Sequence, residues 1–167
     1  MSRRTRGFTV LELCTLMAII GLTILVVLPW FSSMRRRSAL RAAASQMRTI
    51  FHLNRSRAVA RGMNTGMKFV ELAGEWHFAV YEDGDGDGVR NDDIKKGIDR
   101  MLAAPRLVFP ESRAVTVGLL AESIKDPDGD PLPPTKSPIA FGTSTICSFT
   151  PAGESTPGTI YLTDRGR

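Results

Sequence analysis

The sequence predicts an α+β protein in which a long N-terminal helix packs on a small, mostly antiparallel β-sheet. Residues 8–61 read as one helix, apolar throughout at first and amphipathic afterwards. From Thr65 onward, apolar residues recur with a period of two in short runs that glycine- or proline-rich loops separate. The chain therefore divides into four segments, which are residues 1–7, 8–31, 32–62 and 63–167.

The apolar segment, residues 8–31, is long enough to cross a bilayer, since about 20 apolar residues suffice. Its only formal charge is Glu12. A carboxylate inside a membrane-length helix costs roughly 2.5–3.5 kcal/mol on insertion scales, so Glu12 is expected to have a function. Pro29 predicts a bend in the helix. The plainer alternative for this segment is an ordinary signal-anchor helix.

The amphipathic segment, residues 32–62, repeats apolar positions at steps of three and four residues. Gly62 stands where a helix C-terminus favours glycine. The expected buried face comprises Leu40, Ala44, Met47, Phe51, Asn54 and Ala58.

The remainder predicts a β-rich head that begins with a hairpin turning at Ala73-Gly74. Acidic loops are expected at residues 82–99 and 122–138. Further strands are expected at residues 106–109, 113–120, 139–142, 146–150 and 159–163.

Charge is distributed unevenly along the chain. Residues 35–61 contain eight arginines and no acid, whereas residues 62–167 contain sixteen acids and eleven bases. No nucleophile–histidine–acid spacing or phosphate-binding loop occurs, and His52 and His77 are the only histidines. The sequence therefore does not predict an enzyme.

The N-terminus resembles the type IV prepilin signal, because a basic leader ending in Gly7 is followed by Phe8 and, four residues later, by Glu12. Pro29 also lies where many pilins have a helix-bending proline. The resemblance implies that a prepilin peptidase cuts after Gly7 and methylates the new Phe8 amine. It implies that Glu12 pairs with the Phe8 amine of a neighbouring subunit, where a low dielectric strengthens the attraction and sets the axial register.

Arg55–Gly62, Phe149–Gly153 and Gly158–Asp164 are similar to the GspH/FimT branch of minor pilins and pseudopilins. This resemblance implies the pilin fold, with residues 1–7 as leader, 8–31 as transmembrane and filament-core helix, and 63–167 as a periplasmic head. The implied partners are other pilins, the prepilin peptidase and an inner-membrane assembly platform of a type IV pilus or a type II secretion system. The branch has a further strand after Asp164, so we expect an incomplete final strand pair or a truncated sequence.

The acidic loop at residues 83–94 begins like a calcium-binding EF-hand loop, with aspartates at positions one, three and five and glycine at six. Position twelve is Ile94, so the bidentate glutamate is missing. The alternative is a solvated acidic turn. The candidate calcium ligands are Asp83, Asp85, Asp87, Asn91 and Asp93.

Two further functions remain open from the sequence. The first is a minor pilin that binds DNA during uptake through the basic C-terminal residues Arg165 and Arg167, with phosphate contacts from Arg41, Arg48 and Arg55. The second is a signal-anchored calcium-binding domain. Arg35–Arg37 directly follow the apolar segment, where lipid headgroups or filament contacts are the expected partners.

Overall fold

The computed structural model describes residues 9–110, 114–119, 124–125, 129, 131–132 and 136–164, with the side chains of residues 28–33, Ile124 and Leu132 left out of the description. The chain separates into two compact units, Met1–Ser38 and Ala39–Arg167. In its described part, the first unit is helical from Val10 onward. The second contains the rest of that helix and all the described strands, so the protein is α+β as expected.

The elements follow one another in this order: α1 (Val10–Arg61), β1 (Thr65–Leu72), β2 (Glu75–Glu82), α2 (Asn91–Lys96), β3 (Arg100–Leu107), β4 (Thr116–Val117), β5 (Ile124–Lys125), β6 (Pro131–Leu132), β7 (Ile139–Phe141), β8 (Ile146–Phe149), β9 (Gly158–Ile160) and β10 (Leu162–Thr163). Helix α1 continues through Pro29 without interruption. It ends where the sequence predicts, because Gly62 adopts a left-handed φ of 66° and its N–H donates to the carbonyl of Val59.

The head portion of α1 buries one face against the sheet. Ala43, Met47, Asn54 and Ala58 are buried, and Leu40 and Phe51 are partly buried beside them. Ala44, expected on this face, is instead exposed, and the adjacent Ala43 takes the buried position.

The predicted hairpin is confirmed, with β1 and β2 paired antiparallel from Thr65–Glu82 to Leu72–Glu75. Its two turn residues, Ala73 and Gly74, have φ angles of 52° and 76°. Positive φ at both positions matches the right-handed twist of hairpin strands, and only the alanine incurs strain there.

The main sheet has four strands in the order β3-β2-β1-β8, and all its pairings are antiparallel. Strand β3 is an edge strand and is longer than the expected run of 106–109. Its pairing with β2 shifts register between Ala103 and Arg106, and Pro105 lies in this irregular stretch. Proline is tolerated there because an edge position needs no N–H on its outer side.

The remaining strands are short and form three two-stranded pairs, β10 with β4, β5 with β6 and β7 with β9. The expected strands at 139–142 and 146–150 are confirmed as β7 and β8, and the run at 159–163 divides into β9 and β10. Both β9 and β10 are paired in the described head. The two loops expected to be irregular contain α2 and the β5–β6 pair.

The core of the head is built around Phe51 of α1. Its ring centroid lies 6.3, 6.1 and 6.1 Å from those of Phe69, Phe141 and Phe149. Phe69 and Phe141 also stack on each other at 6.0 Å. One aromatic side chain therefore ties the helix to three strands, β1, β7 and β8.

Candidate functional site

The first candidate site is the start of α1. The helix begins at Val10, and its apolar residues through Val27 form a span of 18 residues that is long and apolar enough to cross a membrane. None of this span is buried within the protein. Leu11 and Leu25, for example, are 77% and 78% exposed. An exposed apolar surface of this extent is typical of a segment that contacts lipid or other protein.

Glu12 and Thr9 are hydrogen-bonded to each other at the start of this helix. The Thr9 N–H and hydroxyl each donate to Oε2 of Glu12 at 2.9 Å, and the Glu12 N–H donates to Oγ1 of Thr9 at 3.3 Å. This is a capping box, in which residues three apart satisfy two backbone N–H groups that the helix itself leaves without partners. The carboxylate is therefore held close to the N-terminal end of the helix.

The other residues that the sequence predicts for this site are Gly7, Phe8 and Pro29. Gly7 and Phe8, the predicted cleavage point, lie outside the described residues. Pro29 lies within α1. Cleavage, methylation and the pairing of Glu12 with a neighbouring chain therefore stay predictions.

The second candidate site is the acidic loop between β2 and α2, which is organised around the buried Asp83. One oxygen, Oδ1, accepts hydrogen bonds from the N–H groups of Asp85 at 3.1 Å and Gly86 at 2.8 Å. The other, Oδ2, accepts from the Gly88 N–H at 2.8 Å and from Nδ2 of Asn64 at 2.7 Å. The loop thus wraps around a single carboxylate.

Electrostatics at Asp83 favour its charged form. Burial alone raises the pKa of this carboxyl, but the hydrogen bonds from Asn64 and from the three loop N–H groups outweigh burial and lower the pKa to about 2. Asp83 is therefore ionised throughout the physiological pH range.

Asp83, Asp85 and Asp87 converge on one point, with one ligand oxygen from each lying within 4.8 Å of the other two. Desolvation raises the pKa of Asp87 and the neighbouring Asp85 charge raises it further, although Arg90 opposes both. Three carboxylates this close repel one another, and a hard cation with oxygen ligands would relieve that repulsion. The donor chemistry of these three residues fits calcium.

The structure does not bring all five predicted ligands together. Asn91 is the first residue of α2. Asp93 lies within α2, is not part of the three-carboxylate group, and pairs with Nζ of Lys96 at 3.4 Å. Ile94, at the position where an EF-hand has its bidentate glutamate, packs against the apolar cluster that includes Val89.

Two buried acids near this loop were not expected from the sequence. Asp99 closes the loop from its far end, because its two carboxylate oxygens accept from the N–H groups of Gly84 at 3.3 Å and Arg90 at 2.9 Å. Glu82 bonds to Arg61 at 2.7 Å and to Arg100 at 3.4 Å. The partners of Asp99 and Glu82 are distant in sequence, so no short sequence motif indicates these contacts.

The arginines that the sequence predicts to contact phosphate differ in their surroundings. Arg41 and Arg48 are exposed on α1. The guanidinium of Arg55 packs over the turn at Gly153, where an added Cβ would lie 3.2 Å from its Nε. Arg165 and Arg167 lie outside the described residues, so the DNA-binding prediction stays a prediction.

Comparison of the chain with protein-family models, with curated proteins and with solved structures found no match. The features of the described chain that bear on its function are the apolar helix with its one carboxylate and the acidic loop.

Proposed function

We propose that this protein is a minor pilin or pseudopilin, a structural subunit of a type IV pilus or of a type II secretion pseudopilus. In this proposal the chain is stored in the bacterial inner membrane as a single-pass protein with a periplasmic head. A prepilin peptidase removes residues 1–7, and the subunit then joins other pilins on the assembly platform, where it primes or caps the filament.

The observation that carries the proposal is the position of Glu12. It is the only formal charge from Phe8 to Phe31, and it lies at the start of a helix whose apolar span is entirely exposed. A plain anchor has no use for a carboxylate that costs insertion energy. A filament subunit does have a use for it, because a carboxylate near the helix start can reach the N-terminal amine of an adjacent helix.

Two features of the head are compatible with this role. The long helix and the antiparallel sheet are compatible with the layout that the sequence resemblance implies, with a helix of 52 residues whose second part packs on the sheet. The head also has its own core around Phe51, and contacts of the exposed apolar span with lipid or neighbouring helices are part of the proposal.

The test is intact-mass analysis of the full chain from cells that co-express a prepilin peptidase. The expected mass is that of a chain beginning at methylated Phe8. A Gly7→Val chain is the matched control and is expected to keep its full length. An uncut wild-type chain contradicts the proposal.

A second measurement separates assembly from processing. Glu12→Gln keeps the shape of the side chain and removes its charge, so this variant should be cut normally but recovered less often in sheared filaments. Equal recovery of the two chains would remove Glu12 from the assembly mechanism.

The acidic loop supports a second candidate function, which is calcium binding by the head. The supporting observation is the convergence of Asp83, Asp85 and Asp87. A signal-anchored calcium-binding protein would keep residues 1–7, so the same mass measurement distinguishes it from a calcium-binding pilin.

A further inference from the structure

A long groove runs within the head between α1 and strand β3, at the edge of the main sheet. It has a volume of about 680 Å³ and takes its walls from both elements. On the α1 side its lining residues extend from Gln46 to Arg61, which is about 22 Å of helix at 1.5 Å per residue. Leu53 on this wall is 56% exposed. The groove is therefore long, open and partly apolar, which is typical of a surface that receives a segment of another protein.

The charge of this groove has one sign. Every charged side chain that lines it in the described part of the chain is an arginine. Arg57 lies on the α1 wall and Arg106 on the β3 wall, so positive charge is present on both sides. Arg61 also lines the groove, but it pairs with Glu82. A complementary occupant would therefore have an apolar face with acidic residues on each side of it.

Arg57 is the residue that most favours an anionic occupant. It is half-buried, and its hydrogen bond to Oδ1 of Asn54, a neutral group, is long at 3.4 Å. Neither Arg57 nor Arg106 forms an ion pair with any residue that the structure describes. Removing a charged group from water is costly unless a group of opposite charge compensates it. A carboxylate from an occupant would supply that compensation at Arg57.

The β3 wall favours a helix over an extended peptide as the occupant. Pro105 has no N–H, and the pairing of β3 with β2 shifts register between Ala103 and Arg106, so β3 lacks a continuous row of backbone donors. An extended peptide needs such a row in order to add as a further strand, whereas a helix satisfies its own N–H and C=O groups. A helix of about 15 residues also matches the length of the α1 wall.

We propose that the groove binds an amphipathic helix of a different protein, whose apolar stripe lies between α1 and β3 and whose acidic residues pair with Arg57 and Arg106. The chemistry of this occupant follows from the groove alone. Its source, a non-identical subunit of the same filament, rests on the proposed function. A single contact of this kind gives a subunit that primes or caps a filament one defined neighbour.

The test is binding of a synthetic peptide to the full chain in nanodiscs that contain phosphatidylglycerol, whose negative headgroups repel an acidic peptide. The probe is a fluorescein-labelled helix of about 15 residues, with leucine on one face and glutamate on both sides of that face. Fluorescence anisotropy, with empty nanodiscs as the blank, should show binding that 1 M salt weakens, because the screening length then falls to about 3 Å. The groove variant Arg57→Glu/Arg106→Glu should bind the probe about tenfold more weakly, since attraction becomes repulsion.

Matched controls separate the groove from general charge and apolar effects. Arg41→Glu/Arg48→Glu makes the same charge change on α1 outside the groove and should leave binding within about twofold of wild type. Leu53→Ala removes an exposed apolar side chain of the wall and should weaken binding by about tenfold. A probe with glutamine for glutamate should bind about tenfold more weakly, and a central proline should abolish binding because it breaks the helix. Near-ultraviolet circular dichroism confirms that each variant is folded.

Photo-crosslinking in the native host identifies the occupant. A benzoylphenylalanine in place of Leu53 should crosslink to a different chain, at a segment with apolar residues at steps of three and four flanked by acids. The same amino acid in place of Arg41 should not give that crosslink. A crosslink from position 53 to a second copy of the chain, to lipid or to a basic segment overturns the proposal, as does the absence of any crosslink.

The peptide measurement overturns the proposal if wild type does not bind the probe, if the groove variant weakens binding no more than the arginine control does, or if the glutamine or proline probe binds as tightly as the original. It needs neither a peptidase nor a filament. Absence of binding, with normal cleavage after Gly7, would therefore remove the groove contact and keep the filament role. Binding by a chain that the peptidase leaves uncut would keep the groove as a docking site and remove the filament role.

Discussion

Thr9 and Glu12 are joined by three hydrogen bonds, two of which reach the same carboxylate oxygen, Oε2 of Glu12. The only formal charge of the apolar segment therefore has a partner within its own chain. In the proposed pilin, a subunit in the membrane would satisfy this carboxylate locally, which would reduce the cost of placing it near hydrocarbon. Assembly with a neighbour's amine would then exchange one partner for another.

We predict that Thr9→Val exposes the first turn of α1. The Glu12 N–H loses its acceptor, and loss of a capping residue costs about 1 kcal/mol. Amide hydrogen exchange of Glu12, measured by NMR in micelles, should become about fivefold faster. Thr9→Ser keeps the hydroxyl and should match wild type. An unchanged rate in the valine variant would show that the cap does not stabilise this turn.

The depressed pKa of Asp83 predicts acid-sensitive stability of the head. Its pKa is about 2 in the folded chain against an ordinary value of 3.8, so ionised Asp83 stabilises folding by about 2 kcal/mol. Because the folded pKa is the lower one, this stabilisation is complete above about pH 4 and is lost as the pH falls towards 2. Urea denaturation of wild type and Asp83→Asn across this range should show a difference that disappears at the acid end. A constant difference would contradict the assignment.

Calcium should raise the melting temperature of the chain if the acidic loop binds it. A ligand at 100 times its dissociation constant stabilises the folded state by about 2.7 kcal/mol. The rise should vanish in Asp85→Ala, whose carboxylate belongs to the converging group, and should persist in Asp92→Ala, whose carboxylate pairs with Lys95 instead. A rise that survives in Asp85→Ala, or no rise in wild type, would leave the loop as a solvated turn.

The two arginines that bind Glu82 should differ in importance. Glu82 is 7% exposed, and its contact with Arg61 at 2.7 Å is much shorter than that with Arg100 at 3.4 Å. Arg61→Ala leaves the buried carboxylate with the weaker partner and should lower the free energy of unfolding by about 2 kcal/mol. Arg100→Ala should cost less than half as much, and Lys95→Ala, at an exposed pair, less than about 0.5 kcal/mol. Equal losses in the two arginine variants would contradict this order.

The elements that the sequence predicts well are those whose cause is local. Alternation interrupted only at Ala73-Gly74 predicts the hairpin of β1 and β2, and Gly62 after the last apolar repeat predicts the helix end. The Thr9–Glu12 capping box also has a local signature, since threonine followed three residues later by glutamate is typical of a helix start.

The elements that were missed have causes distant in the chain. Residues 100–105 contain no β-branched or aromatic residue and include Pro105, so intrinsic preference argues against a strand. Pairing with β2 overrides that preference. Asp99 is likewise invisible locally, because its role depends on the N–H groups of Gly84 and Arg90. The pattern favoured Ala44 over Ala43 because positions three and four residues after Leu40 both lie near the face of Leu40, and only packing on the sheet selects between them.

The edge strand β3 bears on whether crowded copies of the protein pair through their sheets. An eight-residue edge strand with free N–H and C=O groups would invite the sheet of another molecule to add to it. Here Pro105 interrupts the donor row and Arg100 and Arg106 place charge along the same edge. Both features oppose edge-to-edge pairing of this strand with the sheet of another copy, and with it amyloid-like fusion of the two sheets.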